Sequence, residues 1–245
     1  MNTVYLSANA GKPLTDFLRN SGFSLQLLTG ADTPVYTEVS THADIHMCQL
    51  GLWEEPRLFI GNSSKLSRNY PGNIIYNAVC TDRYFIHNIR YTDSALLSEA
   101  SEFSRTIIDV NQGYSRCSCL PVTDDSFVTS DAGMQKALET GGAHVLFIQK
   151  RHILLQGFDY GFIGGCAGHL LINRKPTIVF NGNLSAHPDY KKIAAFIKDR
   201  DIDILFFDSY PLEDIGSILT GKPVTAHLPE DYLHQNKTKE AEPYK

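Results

Sequence analysis

The sequence predicts an α/β protein built from about five copies of one strand–strand–helix–strand unit. Three observations carry that expectation. Short apolar strands ending in Asn, Asp or Gly recur five times, at residues 4–9, 58–62, 84–88, 127–131 and 178–182. Most are followed by a stretch with helical spacing. A second set of apolar strands then follows at 24–29, 73–78, 105–110, 144–149 and 203–208.

Each helix has its own justification. Residues 12–20 open on Pro13, which suits a first helical turn. Residues 92–104 follow Thr92 and carry Leu96, Leu97, Ala100 and Phe103 at helical spacing. Asp131 is a natural cap for residues 132–140, which stop at Gly141-Gly142. Residues 188–200 open with Pro188 and Asp189 and place Ile193, Ala194 and Ile197 on one face. In the second unit, residues 63–70 leave room only for a short turn. Hairpin-opening strands are expected at 42–49, 78–81, 117–123, 167–173 and near 217–225. The spacing between equivalent strands varies, so the match is to the order of elements and not to a fixed period. The alternative is an ordinary α/β sandwich whose strands look alike. Five such units form one domain, 1–228, because a half-ring would leave open sheet edges. Residues 229–245 are polar and rich in Pro, Lys and Glu, and read as a surface tail.

Composition narrows the function classes. The chain has 245 residues, 42% of them hydrophobic, and a formal net charge of −5. A mildly acidic chain with no basic block offers no footprint for nucleic acid or an anionic membrane. No apolar run approaches the roughly 20 residues of a membrane span, and no basic-then-apolar leader opens the sequence. Five scattered cysteines are too few for a disulfide framework. The expectation is a soluble cytoplasmic protein that acts on or binds a small molecule and needs no cofactor.

Two clusters carry chemistry. In 42–49 read as a strand, alternation puts His42, Asp44, His46 and Cys48 on one face. Four consecutive groups able to bind protons or metal would line a cleft; the plainer reading is a solvated strand face. The second cluster is residues 158–169, where four glycines fall in eight residues around Cys166, with His169 three residues on and Asp159 upstream. Glycines allow close approach to a ligand, and a thiol is activated by a nearby His or by aligned amides. The plainer reading is a tight turn with Cys166 as a small core filler. Cys117 and Cys119 share a strand face without a second pair, which reads as core packing.

The landmarks HADIHM, NIIYN, RYFIHN-x-RYTD and YGFIGG, set on that repeat, resemble the guanidine-modifying enzyme superfamily, the penteins, in an uncharacterised bacterial branch. The resemblance implies a five-bladed α/β propeller of ββαβ units with its site at the axis. It further implies a Cys nucleophile, a His-x-Asp pair and an acidic side chain that holds a guanidinium. His42-Ala43-Asp44 is similar to the His-x-Asp motif, and Gly164-Gly165-Cys166 to the approach to the nucleophile. The register departs from the deiminases: with the glycines superimposed, His169 takes the nucleophile's place and Cys166 arrives three residues early.

Three functions compete. The first is a thiol-dependent hydrolase or transferase of a guanidine- or amide-containing small molecule. In it Cys166 attacks, His42 or His169 moves protons, and Asp44 or Asp159 holds the cation, while Gly164, Gly165 and His46 line the substrate site. The second is a metal-assisted hydrolase using His42, Asp44 and His46. The third is a non-catalytic binding protein on the same fold.

Overall fold

The computed structural model describes residues 3–31 and 33–224, so the expected tail at 229–245 lies outside the described residues. The chain opens with β1 (Thr3–Ser7), α1 (Lys12–Asn20), β2 (Ser24–Leu28), α2 (Ala43–His46), β3 (Met47–Leu50) and β4 (Arg57–Ile60). It continues with β5 (Val79–Cys80), β6 (Tyr84–His87), α3 (Ser94–Phe103), β7 (Thr106–Asp109), α4 (Ser115–Ser118), β8 (Cys119–Thr123) and β9 (Ser126–Thr129). Then come α5 (Ala132–Thr140), β10 (His144–Phe147), β11 (Ala167–Ile172), β12 (Lys175–Phe180) and α6 (Tyr190–Lys198). The described chain ends with β13 (Asp203–Leu205), β14 (Leu219–Thr220) and β15 (Lys222–Pro223).

Among the described residues the result is a mixed α/β fold with four small sheets. Three units are complete in sequence order: β5-β6-α3-β7, β8-β9-α5-β10 and β11-β12-α6-β13. In each, the first strand pairs antiparallel with the second, and the second pairs parallel with the third across the helix. The other two units are completed by the far end of the chain. β14 pairs antiparallel with β1, which pairs parallel with β2. β15 lies parallel to β4, itself antiparallel to β3. This second unit has only a 3-10 turn, Ser63–Lys65, where the others have a helix. A single parallel register, Leu50↔Cys80, joins it to the third unit in a six-stranded sheet.

The helices begin where their sequences dictate. Asp93 accepts from the amides of Ala95 and Leu96, and Asp131 from that of Met134, satisfying donors a helix start leaves free. In α1, Pro13 occupies the first turn and Leu14 and Leu18 are buried on one face.

Apolar packing shows how the units sit together. Leu14 and Leu18 of α1 pack with Leu170 and Val179 of the fifth unit. Ile193 and Ile197 of α6 pack with Leu120 and Val128 of the fourth. Met134 and Leu138 of α5 meet Tyr84 and Ile86 of the third, and Leu96 and Ala100 of α3 meet Leu50 and Phe59 of the second. The last seam, between second and first units, has only the short α2; Ala43, Met47 and Leu58 meet Tyr5 and Leu219. Each seam therefore joins one unit to a neighbour. Each large side chain buried this way contributes about 1.5–3 kcal/mol.

Two expected strands are something else. Residues 43–46 form a helical turn, with the Ile45 amide donating to the His42 carbonyl, and only 47–50 is strand. The shared face of His42, Asp44, His46 and Cys48 therefore does not exist. Residues 73–78 are turns, because their amides are spent locally: Ile74 donates to the Pro71 carbonyl and Asn77 to that of Ile74. Among the described residues, no helix is long and apolar enough to cross a membrane.

Candidate functional site

Just ahead of its first strand, every unit turns sharply, and these five turns meet in one buried polar network. Asp44, three residues before β3, is its hub. Its Oδ2 accepts from Cys117 Sγ at 3.0 Å and from Ser217 Oγ at 2.6 Å, while Oδ1 has no hydrogen-bond partner among the described residues. Ser217 Oγ also lies 3.1 Å from the Gly164 carbonyl. Asn77 Oδ1 accepts from the amide of Arg116, and its Nδ2 lies 3.4 Å from Cys117 Sγ. The Arg116 guanidinium is itself buried and donates to the carbonyls of Gly164 and Ala167, at 2.8 and 3.1 Å.

A cavity of about 430 Å³ opens onto this network. Its inner end holds His42, Cys117 and Asp214; Tyr36, Tyr114, Phe158, Tyr160 and Phe162 wall it, with Asp159 near Phe158. The repeat explains this lining. His42, Tyr114, Phe162 and Asp214 each stand five residues before the first strand of their unit, β3, β8, β11 and β14. Four units thus aim equivalent positions at one place. Close packing depends on two glycines there. A Cβ on Gly165 would overlap the Asp214 carboxylate, and Gly216, at φ +70°, carries its hydrogen where a side chain would strike His42.

Electrostatics set the resting state. Burial lowers the His42 pKa to about 4, so its imidazole is neutral at pH 7. Burial raises Asp214 to about 6, opposed by hydrogen bonds from the amides of Gly216 and Phe162. Asp44 is likewise pushed up by burial. Cys117 is pushed well above its ordinary value, first by burial and then by the carboxylates of Asp44 and Asp214, so it rests as a thiol. His42 Nδ1 and Asp214 Oδ1 stand 4.0 Å apart. With the imidazole neutral, that contact is no ion pair. His42, Cys117 and Asp214 each offer one ligand atom, all within 4.8 Å of one another.

Residues 6–219 match the family model of DUF6873, described as a family of unknown function. The chain belongs to that family. No curated protein matches this DUF6873 member. Among solved structures, it is similar to a C. jejuni agmatine deiminase variant with substrate bound, at TM-score 0.47 and 9% identity over 89% of this chain and 92% of that one. It is also similar to the C. jejuni agmatine deiminase, at TM-score 0.45 and 11% identity over the same shares.

The expected site residues of the DUF6873 chain separate into two groups. His42 and Asp44 come together with Cys117 and Asp214, and Asp159 lines the same cavity. Cys166 does not line it: fully buried in the apolar cluster beneath α6, its Sγ sits 3.1 Å from the Ile163 carbonyl. His169 lies elsewhere, with Nε2 at 2.6 Å from the Pro121 carbonyl and its ring edge-on to Trp53 in a separate cavity. His46 Nε2 is taken by the Ser40 carbonyl at 2.7 Å, so the set His42, Asp44 and His46 is not assembled for a metal. Neither Gly164 nor Gly165 lines the cavity. The Gly165 amide donates to the Cys117 carbonyl, and the Gly164 carbonyl receives Arg116 and Ser217. Sequence reasoning read Cys117 as core packing and missed Asp214 and Ser217. Aligning the units on their first strands would have found them, since Cys117 and Ser217 both stand two residues ahead of a first strand.

Proposed function

We propose that the five units close as a five-bladed α/β propeller of the pentein type, and that the cavity at its axis carries a thiol-dependent hydrolase. Its substrate class is a small molecule with a guanidinium or amidinium group, and Cys117 is the nucleophile. The observation that carries this reading is the meeting of Cys117, His42 and Asp214 at the inner end of an aromatic-walled cavity, with Asp44 hydrogen-bonded to the Cys117 thiol. A planar cation there satisfies the site's needs. Its N–H groups have Asp214 as an acceptor, its face has tyrosines and phenylalanines, and its charge offsets the two carboxylates that keep the thiol protonated.

The steps follow from those positions. Cys117 passes its proton to Asp44 Oδ2, already 3.0 Å from Sγ, and Sγ bonds to the planar carbon. The C–N bond to the leaving amine breaks as the proton held by Asp44 passes through His42 to that nitrogen, leaving a cationic thiouronium. Water then adds to the thiouronium carbon with His42 taking one of its protons; the C–S bond breaks, His42 returns that proton to the Cys117 sulfur, and the remaining hydroxyl proton goes to the released amine. The products are the amine, ammonia in the simplest case, and the ureido or amide compound.

The test is a panel of guanidines and amidines scored for ammonia release, run beside an amidine bearing an α-halide. Adduct mass on a Cys117 peptide, with turnover lost in C117A, is the expected result. Adduct on Cys166, or full turnover in C117A, overturns this assignment. Saturable binding without turnover or adduct favours a binding protein.

A further inference from the structure

The same three side chains have an unfilled valence that substrate chemistry does not use up. The His42 ring is 4% exposed, and neither nitrogen has a hydrogen-bond partner among the described residues. A buried imidazole without a partner is costly, and this one faces the cavity. It stands with a thiol and a carboxylate, the ligand types that bind thiophilic divalent ions. The separations fit. Bonds of about 2.3 Å to sulfur and about 2.0–2.2 Å to nitrogen or oxygen place tetrahedral ligands roughly 3.3–3.8 Å apart. The observed atoms, all within 4.8 Å, need to close by at most about 1.5 Å, the reach of side-chain rotations. Asp214 is oriented for it by the Gly216 and Phe162 amides, which donate to Oδ1 and Oδ2.

We propose that His42, Cys117 and Asp214 form a three-ligand site for a thiophilic divalent cation, Zn²⁺ or its analogue Co²⁺, with the fourth position open to the cavity. Binding exchanges the Cys117 S–H bond for a metal–sulfur bond and releases that proton to water; nothing is oxidised. Thiolate and carboxylate together neutralise the ion. A metal held there occupies the sulfur's lone pair and the space a planar cation would take, so metal and cationic ligand exclude each other.

Metal-stripped full-length protein is titrated with Co²⁺ and followed for the thiolate-to-cobalt charge-transfer band. One equivalent with that band in wild type and in C166S, no band in C117S, and binding weakened more than about tenfold in H42Q support the site. No band in wild type, or a band that survives in C117S, overturns it. Should C117S fail to fold, crystals of wild type soaked in Zn²⁺ decide, since anomalous density must lie between the three side chains and nowhere else among the cysteines. The outcome is separable from the catalytic reading. Turnover that needs Cys117, in a protein that gives no cobalt band, sinks the metal site alone, whereas turnover that requires the metal sinks Cys117 as nucleophile.

Discussion

Two buried thiols one register apart have opposite surroundings. Cys166 stands one residue ahead of β11, and Cys117 two residues ahead of β8. In the fourth unit the position matching Cys166 is Ser118, also fully buried. The residue just before a first strand thus points away from the cavity in both units, and the one before it points to the centre. Cys166 meets Ile163, Ile178 and Phe180; Cys117 meets Asp44, Asn77 and the cavity. A thiol's surroundings here depend on register within the turn, not on the glycines that flank it.

The largest effect that can break this contrast is in activity. With a turned-over guanidine in hand, C117A is expected to lose on the order of 10³-fold or more in kcat/KM, as loss of a nucleophile does. C166A keeps activity within a few-fold and gives up only about 1–2 kcal/mol of stability for its lost packing and hydrogen bond. Equal losses in both variants erase the distinction between the two turns.

Next in size is the contact between the Cys166 turn and the turn ahead of β14. In G165A the new methyl group meets the Asp214 carboxylate. Overpacking of a buried position costs about 1–3 kcal/mol, and here it also displaces an acidic group at the inner end of the cavity. Urea denaturation is expected to show a lowered midpoint, and ligand binding or turnover is expected to fall further than stability explains. A G165A protein with wild-type stability and activity breaks the link between the glycine turn and the site.

Much of the fold was legible in the sequence. Strands such as 84–87 and 175–180 are short β-branched or aromatic runs closed by polar residues, and the helices carry their caps in plain view at Asp93 and Asp131. The two misread stretches share a cause. Residues 42–46 and 73–78 alternate or cluster apolar groups as strands do, yet both are turns buried at the convergence of five units, where tertiary contacts set the backbone. The site was half legible for the same reason. His42 and Asp44 stood out as a motif. Asp214 and Ser217 come from a C-terminal segment that pairs back onto the first unit, and a spacing rule within one stretch does not reveal a meeting of distant turns. Cys117 was visible but read as core, because burial and function look alike for a thiol until its neighbours are known.

The smallest expected effect separates the cavity's imidazole from those that serve only the fold. His87 is buried between Thr92 Oγ1 and the Gly113 carbonyl, and burial lowers its pKa to about 4; His169, against the Pro121 carbonyl, falls to about 3 for the same reason. An unfolded chain protonates these rings near pH 6.5. Below that value the unfolded state binds protons the folded state refuses, so stability is full above about pH 6.5 and declines as pH falls toward the folded values. Between roughly pH 6 and pH 5 each such ring contributes a loss of about 1 kcal/mol. Thermal melts across that range are expected to show a steeper decline for wild type than for H87Q or H169Q, each variant being compared with its own value at pH 7. Neither variant is expected to change ligand binding at the cavity, which neither side chain lines. An unchanged slope in both variants places the acid sensitivity in other groups, and lost binding in H169Q joins the two cavities that the turns of Cys117 and Cys166 otherwise keep apart.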